Sequence, residues 1–300
     1  MGGGGARGLA HIGIIKKLVE YQIPVHVITG ASMGAIVGAA FAYDRNIGRV
    51  ESDFREFILG PNFQSIKGRL TDLNKVNQPE HFIRFVSNVV RRRIVINLAA
   101  NRKSLIDARR LEFAINQLIP EGRIEDLKMP FACSALDLKS GNEVVFTRGD
   151  VRKALKASAS VPGYLPPCEN DGQMLVDGAV IDNFPIRAAR ELGADFILVC
   201  NVSPELKYTT QLDNVIDIFI RAHHATVQRL NHLLMETSNF LLAPELGDLN
   251  WTEFEKIDTF IKQGEAIVEK NIARLKHTLQ QYDKFSERLK RWTARRLKIR

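Results

Sequence analysis

Gly30-Ala31-Ser32-Met33-Gly34 is the stretch of the sequence that most directly indicates the fold. The β-branched residues at 25–29 predict a buried strand before it, and the small apolar residues at 35–43 predict a helix after it. A serine between two glycines at a strand-to-helix turn is the pattern called a nucleophile elbow, in which flanking side chains would collide with the turn. The helix would point its free N–H groups at a negative charge that forms beside Ser32. G-x-S-x-G also occurs by chance, so an ordinary glycine turn with a surface serine stays open at this point.

The composition is that of an ordinary soluble globular protein, with 300 residues, 45% hydrophobic and 25% charged. This length predicts one large α/β domain or two small ones. The net charge of +8 is concentrated at residues 284–300, which hold eight basic residues and one acidic residue. Because the rest of the chain is nearly neutral, we expect any binding to an anionic membrane surface to be a property of this segment, and we expect no nucleic-acid partner.

The cysteines and histidines give no sign of a disulfide framework or of a metal site. Cys133, Cys168 and Cys200 have no C-x-x-C spacing, which favours a reducing, cytoplasmic location. The histidines lack metal-ligand spacing, so no metal is predicted.

The chain opens with four consecutive glycines at 2–5 and continues Ala-Arg-Gly to Gly8. Gly3, Gly5 and Gly8 match G-x-G-x-x-G, but a dinucleotide-binding loop needs a strand before it and an acidic residue after the next strand, and the sequence shows neither. A run of residues without side chains instead predicts backbone N–H groups that closely approach a ligand anion. Arg7 is expected either to brace this loop or to lie at the surface.

The rest of the chain predicts a succession of helices and strands. The segment 50–118 is helical and irregular, and strands and helices then alternate from 131 to 202, which completes an α/β pattern. Beyond Pro204 the chain is mainly helical and ends in the basic segment 284–300. One face of that segment carries the large apolar residues Phe285, Leu289 and Trp292. This pattern predicts either a helix lying on an anionic membrane or one packed on its own domain with a solvated basic face.

A nucleophilic Ser32 needs a group that takes its proton, and Asp177 is the best candidate in the sequence. It ends the apolar strand 174–176, and the small residues Gly178 and Ala179 after it leave room for contact. No histidine after Asp177 lies in a glycine-bounded loop, so the triad of the α/β-hydrolases is not indicated. An aspartate with a pKa of ~3.9 is a poor base at neutral pH, so desolvation and a direct hydrogen bond to Ser32 would have to raise its basicity.

Three separated motifs, in this order, resemble those of the patatin-like phospholipase family: the loop 3–8, the turn 30–34 and Asp177-Gly178-Ala179. The segments 160–167 and 182–185 are similar to its flanking motifs, and the resemblance covers residues 2–204. The bacterial single-domain members are the most similar. The resemblance implies a three-layer α/β/α fold with a mainly parallel central sheet and a helical C-terminal extension.

The same resemblance implies a Ser–Asp dyad that hydrolyses acyl esters of lipids without a metal or organic cofactor. Carried over to this chain, Ser32 is the nucleophile and Asp177 is the base. The N–H groups of three glycines would form the oxyanion hole: Gly3, Gly4 and Gly5. Six further residues would support the motifs: Arg7, Gly8, Gly30, Gly34, Gly178 and Ala179.

We therefore expect a core at 1–204 with a helical insertion at about 50–118, and a helical part 205–300 that packs on the core. Family members have an apolar strand directly before the glycine loop, where this sequence has Met1. A loop tethered at one end only would make a poor oxyanion hole, since the loss of one donor costs about 10²–10³ in rate.

The expected function is hydrolysis of fatty-acyl esters of phospholipids or lysophospholipids, in the cytoplasm or at the inner face of the membrane as a peripheral protein. The alternative is a catalytically silent binding or scaffold protein that keeps the same fold.

Overall fold

The structure is a computed structural model that describes residues 1–61, 63, 107–210 and 212–297, with side chains described for all of these except 216 and 285–297. The helices are α1 (Ala10–Glu20), α2 (Ser32–Asp44), α3 (Ile47–Leu59), α4 (Ala108–Leu118), α5 (Val151–Ser158), α6 (Ile186–Glu191), α7 (Val215–Glu236) and α8 (Ile257–Leu297). The strands are β1 (Ile28–Gly30), β2 (Phe131–Asp137), β3 (Glu143–Phe146), β4 (Cys168–Asn170), β5 (Gln173–Asp177), β6 (Leu198–Cys200) and β7 (Phe240–Leu242).

The strands form two sheets among the described residues. The larger has the order β1-β2-β5-β4, with β3 also paired to β2, and the smaller consists of β6 and β7. The predicted α/β fold with a central sheet and flanking helices is confirmed. Pairing within the larger sheet is mixed rather than mainly parallel, because β1–β2 is parallel and β2–β3, β2–β5 and β4–β5 are antiparallel. The physical reason is that β2–β3 and β4–β5 are joined by short turns, which can connect only antiparallel strands.

β1 is shorter than the strand predicted at 25–29. Its pairing begins at Ile28, whose N–H donates to Pro130 O at 3.0 Å, and opposite it β2 begins at Phe131. Pro130 has no N–H with which to extend the ladder. The predicted helix after the turn is confirmed, and it begins at Ser32 itself.

The start of the glycine loop joins the two sheets. Met1 N donates to Thr29 O at 2.8 Å, and Met1 O accepts from Ala31 N at 3.2 Å. On the other side, Gly2 N donates to Cys200 O at 3.0 Å. Residues 1–2 thus lie between β1 and β6 and bond to both, so the loop is held on two sides.

Helices cover both faces of the β6–β7 sheet, which gives three α/β/α layers. Ile197 and Val199 pack with Phe184 and with Ile186 of α6 on one face. Cys200 points to the other face, where it packs with residues of α1 and α8: Ile14, Leu18, Val268 and Leu275. The alternation follows from the period of two in a strand.

The C-terminal helix α8 packs tightly against α1. A Cβ placed on Gly13 would lie 2.0 Å from Ile261 O, and one placed on Gly264 would lie 2.0 Å from Ala10 O. Only glycine allows the two backbones to approach this closely.

Three sequence-based expectations are not tested by this part of the structure. The boundary at residue 204 stays a prediction. The ends of the predicted insertion are helices α3 and α4, and its interior lies outside the described residues. The apolar face at 285, 289 and 292 also lies outside the described side chains.

Candidate active site

Ser32 lies at the end of β1, at the first residue of α2, with a φ of +52°. This left-handed conformation is strained for a residue with a side chain. The flanking glycines make it sterically possible. A Cβ on Gly30 would lie 2.7 Å from Ala35 N, and one on Gly34 would lie 2.4 Å from Met1 O. The structure therefore has the strand-to-helix turn that the spacing predicts.

Asp177, at the end of β5, interacts with the Ser32 hydroxyl. Both side chains are buried, with 4% of Asp177 and 6% of Ser32 exposed. Burial raises the pKa of Asp177 to about 6, while the interaction with the Ser32 hydroxyl and the hydrogen bond from the Ala179 N–H lower it. Desolvation thus raises the basicity of Asp177, whereas the Ser32 hydroxyl lowers its pKa, the opposite of the effect expected from the sequence.

The glycine loop passes directly over Ser32. A Cβ on Gly3 would lie 2.9 Å from Ser32 Cβ, so a side chain there would displace the serine. Gly3 N, however, donates to Asn183 Oδ1 at 2.6 Å. Within the described chain the N–H groups of Gly4 and Gly5 donate to no protein acceptor. Of the three predicted oxyanion donors, Gly4 and Gly5 are therefore the ones with a free N–H.

Asn183 is a residue that sequence reasoning did not assign a role. Its Oδ1 accepts from Gly3 N, and its Nδ2 donates to Ser203 Oγ at 2.9 Å. Asn183 thereby fixes the glycine loop to the chain that follows β6. It belongs to the segment 182–185, which the family resemblance had marked as a motif without giving its purpose.

His11 is the second residue that sequence reasoning missed. It is completely buried on α1, and its Nε2 lies 2.8 Å from Gly2 O. Burial lowers the pKa of His11 to about 3, so the ring is neutral. A carbonyl can only accept, so Nε2 carries the proton and donates it to Gly2 O. The signal in the sequence was a histidine six residues after the glycine run 2–5.

Ser158, at the end of α5, stabilises the turn through a hydrogen bond to the backbone of Ser32. It is fully buried, and its Oγ accepts from Ser32 N at 3.1 Å. This bond satisfies the N–H of the strained residue, which would otherwise be buried without a partner.

Arg7 is buried and braces the loop, as one of the two sequence-based alternatives expected. Its Nε donates to Val202 O at 2.8 Å, and its Nη1 donates to Leu249 O at 2.8 Å and to Gly247 O at 3.3 Å. One guanidinium thus ties the loop to two segments that are distant in sequence.

The remaining predicted support residues also lie in close backbone contacts. A Cβ on Gly8 would lie 2.5 Å from Met33 Cγ, and one on Gly178 would lie 2.3 Å from Ser134 O. The N–H of Ala179 donates to Asp177 Oδ1 at 2.8 Å and helps to orient that carboxylate. The structure thus brings together all three motifs that the sequence had separated.

The described residues contain neither a candidate metal-binding cluster nor a helix that could span a membrane. No group of three or more His, Cys, Asp or Glu side chains in that part of the chain could hold a metal ion. No helix within it has both the length and the apolar character that crossing a membrane requires.

A family model for patatin-like phospholipases matches residues 1–190. The chain therefore belongs to the patatin-like phospholipase family, and the predicted family is confirmed.

Curated relatives support a lipid hydrolase at low sequence identity. Patatin-like phospholipase domain-containing protein 7 of Mus musculus is 29% identical over 204 residues, which is 67% of this chain and 13% of that protein. Lysophospholipase NTE1 of Phaeosphaeria nodorum is 29% identical over 202 residues, which is 67% of this chain and 12% of that protein. Neuropathy target esterase sws of Drosophila melanogaster is 29% identical over 207 residues, which is 68% of this chain and 13% of that protein. The match thus spans only a small part of these relatives.

Among solved structures, VipD from Legionella pneumophila aligns with a TM-score of 0.43 and 14% identity, over 94% of this chain and 66% of that one.

Proposed function

We propose that the protein is a serine acyl hydrolase that cleaves fatty-acyl esters of phospholipids or lysophospholipids through a Ser32–Asp177 dyad. The observation that carries the proposal is the buried interaction between the Ser32 hydroxyl and a carboxylate whose pKa burial raises to about 6. Such a carboxylate is still mainly ionised at pH 7, and it is a stronger base than an ordinary aspartate.

In the first half of the reaction, Ser32 Oγ attacks the ester carbonyl while Asp177 accepts its proton. The N–H groups of Gly4 and Gly5 and the N-terminus of α2 stabilise the negative charge that develops on the carbonyl oxygen. The tetrahedral intermediate collapses to an acyl-enzyme, and the leaving alcohol takes the proton from Asp177.

In the second half, Asp177 accepts a proton from a water molecule that attacks the acyl-enzyme. Collapse of the second intermediate returns that proton to Ser32 Oγ and releases the fatty acid. No metal or cofactor takes part in this proposal.

The experiment compares hydrolysis of a chromogenic fatty-acyl ester by the unaltered protein, Ser32→Ala and Asp177→Asn. Both substitutions should lower kcat by at least about 10³-fold, because the loss of either member of a catalytic pair abolishes the function of both. Asp137→Asn is the matched control, since Asp137 is a second buried aspartate at a strand end. Within the described chain, its carboxylate accepts only from Lys139 N and Ser140 Oγ of its own turn and from Met174 N.

Labelling with a fluorophosphonate probe separates the enzyme from a silent protein. We expect covalent labelling of Ser32 in the unaltered protein and in Asp137→Asn. Equal ester hydrolysis in all variants, or no labelling of Ser32, would contradict the proposal and favour a catalytically silent binding or scaffold protein.

The basic segment 284–300 is part of the same proposal. Its eight basic residues and one acidic residue would attract the protein to anionic lipid. A cytoplasmic protein that is peripheral at the inner face of the membrane would meet such lipid.

A further inference from the structure

The first turns of α7 are exposed to solvent on several sides and carry large apolar side chains. Ile218 is 53% exposed, Phe219 74% and Ile220 47%. Successive residues of a helix point about 100° apart, so these three side chains face three different directions. Val215 at the start of α7 is 81% exposed, and Leu212 and Tyr208 in the preceding connection are also exposed. We call these six residues the α7 tip.

This distribution of apolar side chains favours binding of the tip to a lipid bilayer over binding to a groove on another protein. Soluble proteins rarely expose large contiguous apolar patches, and a helix that is apolar on all sides is normally buried. A groove on a protein covers one stripe of a helix, whereas lipid surrounds every side of a helix end that enters it. From Val215 to Ile220 the helix rises about 7.5 Å, which matches the roughly 5–10 Å to which interfacial helices enter a membrane.

Polar groups follow the tip at the depth where lipid phosphates would lie. Arg221 and the exposed His223 and His224 come next along α7, and Arg221 also donates to Lys207 O at 2.6 Å. Two acidic residues offset these cations: Asp213 just before α7, and Asp217 within the tip itself, where its carboxylate accepts from Asn214 Nδ2 at 2.6 Å. Because the tip is nearly neutral, its binding should rest on apolar insertion and should not need anionic lipid or low salt.

The α7 tip is connected to the glycine loop through the segment that binds Arg7. Arg221 donates to Lys207 O, and Lys207 Nζ pairs with Asp248. The neighbours of Asp248, Gly247 and Leu249, accept from Arg7 Nη1.

The connection to α7 leaves β6 through Val202 and Ser203, and both contact the site. A Cβ on Gly4 would lie 3.1 Å from Val202 Cγ2, and Ser203 Oγ accepts from Asn183 Nδ2. A membrane that holds the tip would therefore lie on the side of the protein that carries the glycine loop and Ser32, which we call the Ser32 edge.

We propose that the α7 tip inserts into the interface of a zwitterionic phospholipid bilayer and docks the protein with the Ser32 edge towards its lipid substrate. The role of docking rests on the proposed lipid hydrolysis, but insertion itself can be measured without any reaction.

The test measures binding of the full chain to phosphatidylcholine vesicles by sedimentation. Phe219→Glu should weaken partitioning at least about tenfold, because burial of one aromatic side chain in lipid raises the partition constant by that factor or more. Leu233→Glu is the matched control, because Leu233 is 45% exposed on the other half of α7 and should partition as the unaltered protein does. Equal partitioning of Phe219→Glu and Leu233→Glu would overturn the proposal.

Two further measurements separate insertion from its competitors. Phe219→Trp should be quenched by brominated lipid and Leu233→Trp should not; equal quenching would contradict insertion at the tip. A dimer that Phe219→Glu converts to a monomer in light scattering would also overturn the proposal, because the tip would then be an interface between copies.

The same experiment distinguishes failure of docking from failure of the proposed chemistry. Ser32→Ala should bind vesicles as the unaltered protein does, and Phe219→Glu should hydrolyse a water-soluble short-chain ester at the unaltered rate. Loss of that rate in Phe219→Glu would show a structural effect and contradict the docking role.

Discussion

The Ser32 turn and the α7 tip are built in opposite ways. Ser32 is held in a left-handed conformation by backbone contacts that leave no room for a further atom, and it is only 6% exposed. Phe219 at the tip is 74% exposed. The backbone therefore positions the reacting groups, whereas contact with lipid depends on side chains that the fold itself does not need. Substitutions should therefore affect folding in the first region and only binding in the second.

The largest effect is expected at Gly34, where an added methyl group would meet backbone and not a flexible side chain. In Gly34→Ala the new Cβ would lie 2.4 Å from Met1 O and 2.6 Å from Gly2 O. We expect the free energy of unfolding to fall by about 2–3 kcal/mol and ester hydrolysis to be lost. Urea denaturation measures the first effect. Gly122→Ala is the control, since a Cβ there meets nothing within 4 Å, and equal stability of the two variants would contradict the steric account.

The next effect concerns the anchor of the glycine loop. Asn183→Ala removes the acceptor of Gly3 N and should lower kcat/KM about 10²-fold, because small misplacements of catalytic groups are costly. Asn142→Ala, at an exposed turn, should leave the rate unchanged. If both variants hydrolyse a soluble ester at the same rate, the loop does not need this anchor.

The two membrane-binding elements should differ in their dependence on lipid and salt. Removal of residues 284–300 should weaken adsorption to phosphatidylserine vesicles at low salt by at least about tenfold, since each basic residue near the surface contributes about 1 kcal/mol. Binding to phosphatidylcholine vesicles should not change. Adsorption that is unaffected by the truncation would show that the basic segment does not contact lipid.

The smallest effect is a slope of stability against pH. The pKa of His11 is about 3 when folded and ~6.5 when unfolded, so the unfolded state binds more protons in between. The contribution of His11 to the free energy of unfolding therefore falls as the pH falls below ~6.5. The slope of this fall approaches about 1.4 kcal/mol per pH unit. Asp177 acts in the opposite sense: because its pKa is raised to about 6, stability is lost as the pH rises from ~3.9 through 6.

The variant His11→Gln isolates the histidine term from the opposing aspartate term. Relative to the unaltered protein, it should lose less stability between pH 6.5 and 4.5, measured by urea denaturation at each pH. An identical slope in the two proteins would mean that His11 is not buried in its neutral form.

The sequence predicted those features that depend on neighbouring residues. The spacing of Gly30, Ser32 and Gly34 predicts the turn because the steric conflict arises within five residues. The strand ends at Asp177 and Gly30 were predictable for the same reason, since apolar runs end there.

Features that depend on distant partners could not be predicted in this way. The bond between Gly3 and Asn183 joins residues 180 positions apart, and nothing near Gly3 indicates that its N–H is already used. The short β1 was missed because its length depends on where Pro130 lies in the neighbouring strand. The exposure of Phe219 was also not predictable, because an apolar helix pattern normally indicates burial.

Transfer of the Ser32 proton to Asp177 can be followed through the rate at which a fluorophosphonate labels Ser32 between pH 4.5 and 8. We expect this rate to rise with pH through an apparent pKa near 6 and then to level off, because the ionised carboxylate is the base. Asp177→Asn should label slowly at every pH. A rate without an inflection between pH 5 and 7, or labelling of Asp177→Asn as fast as that of the unaltered protein, would contradict this proton transfer.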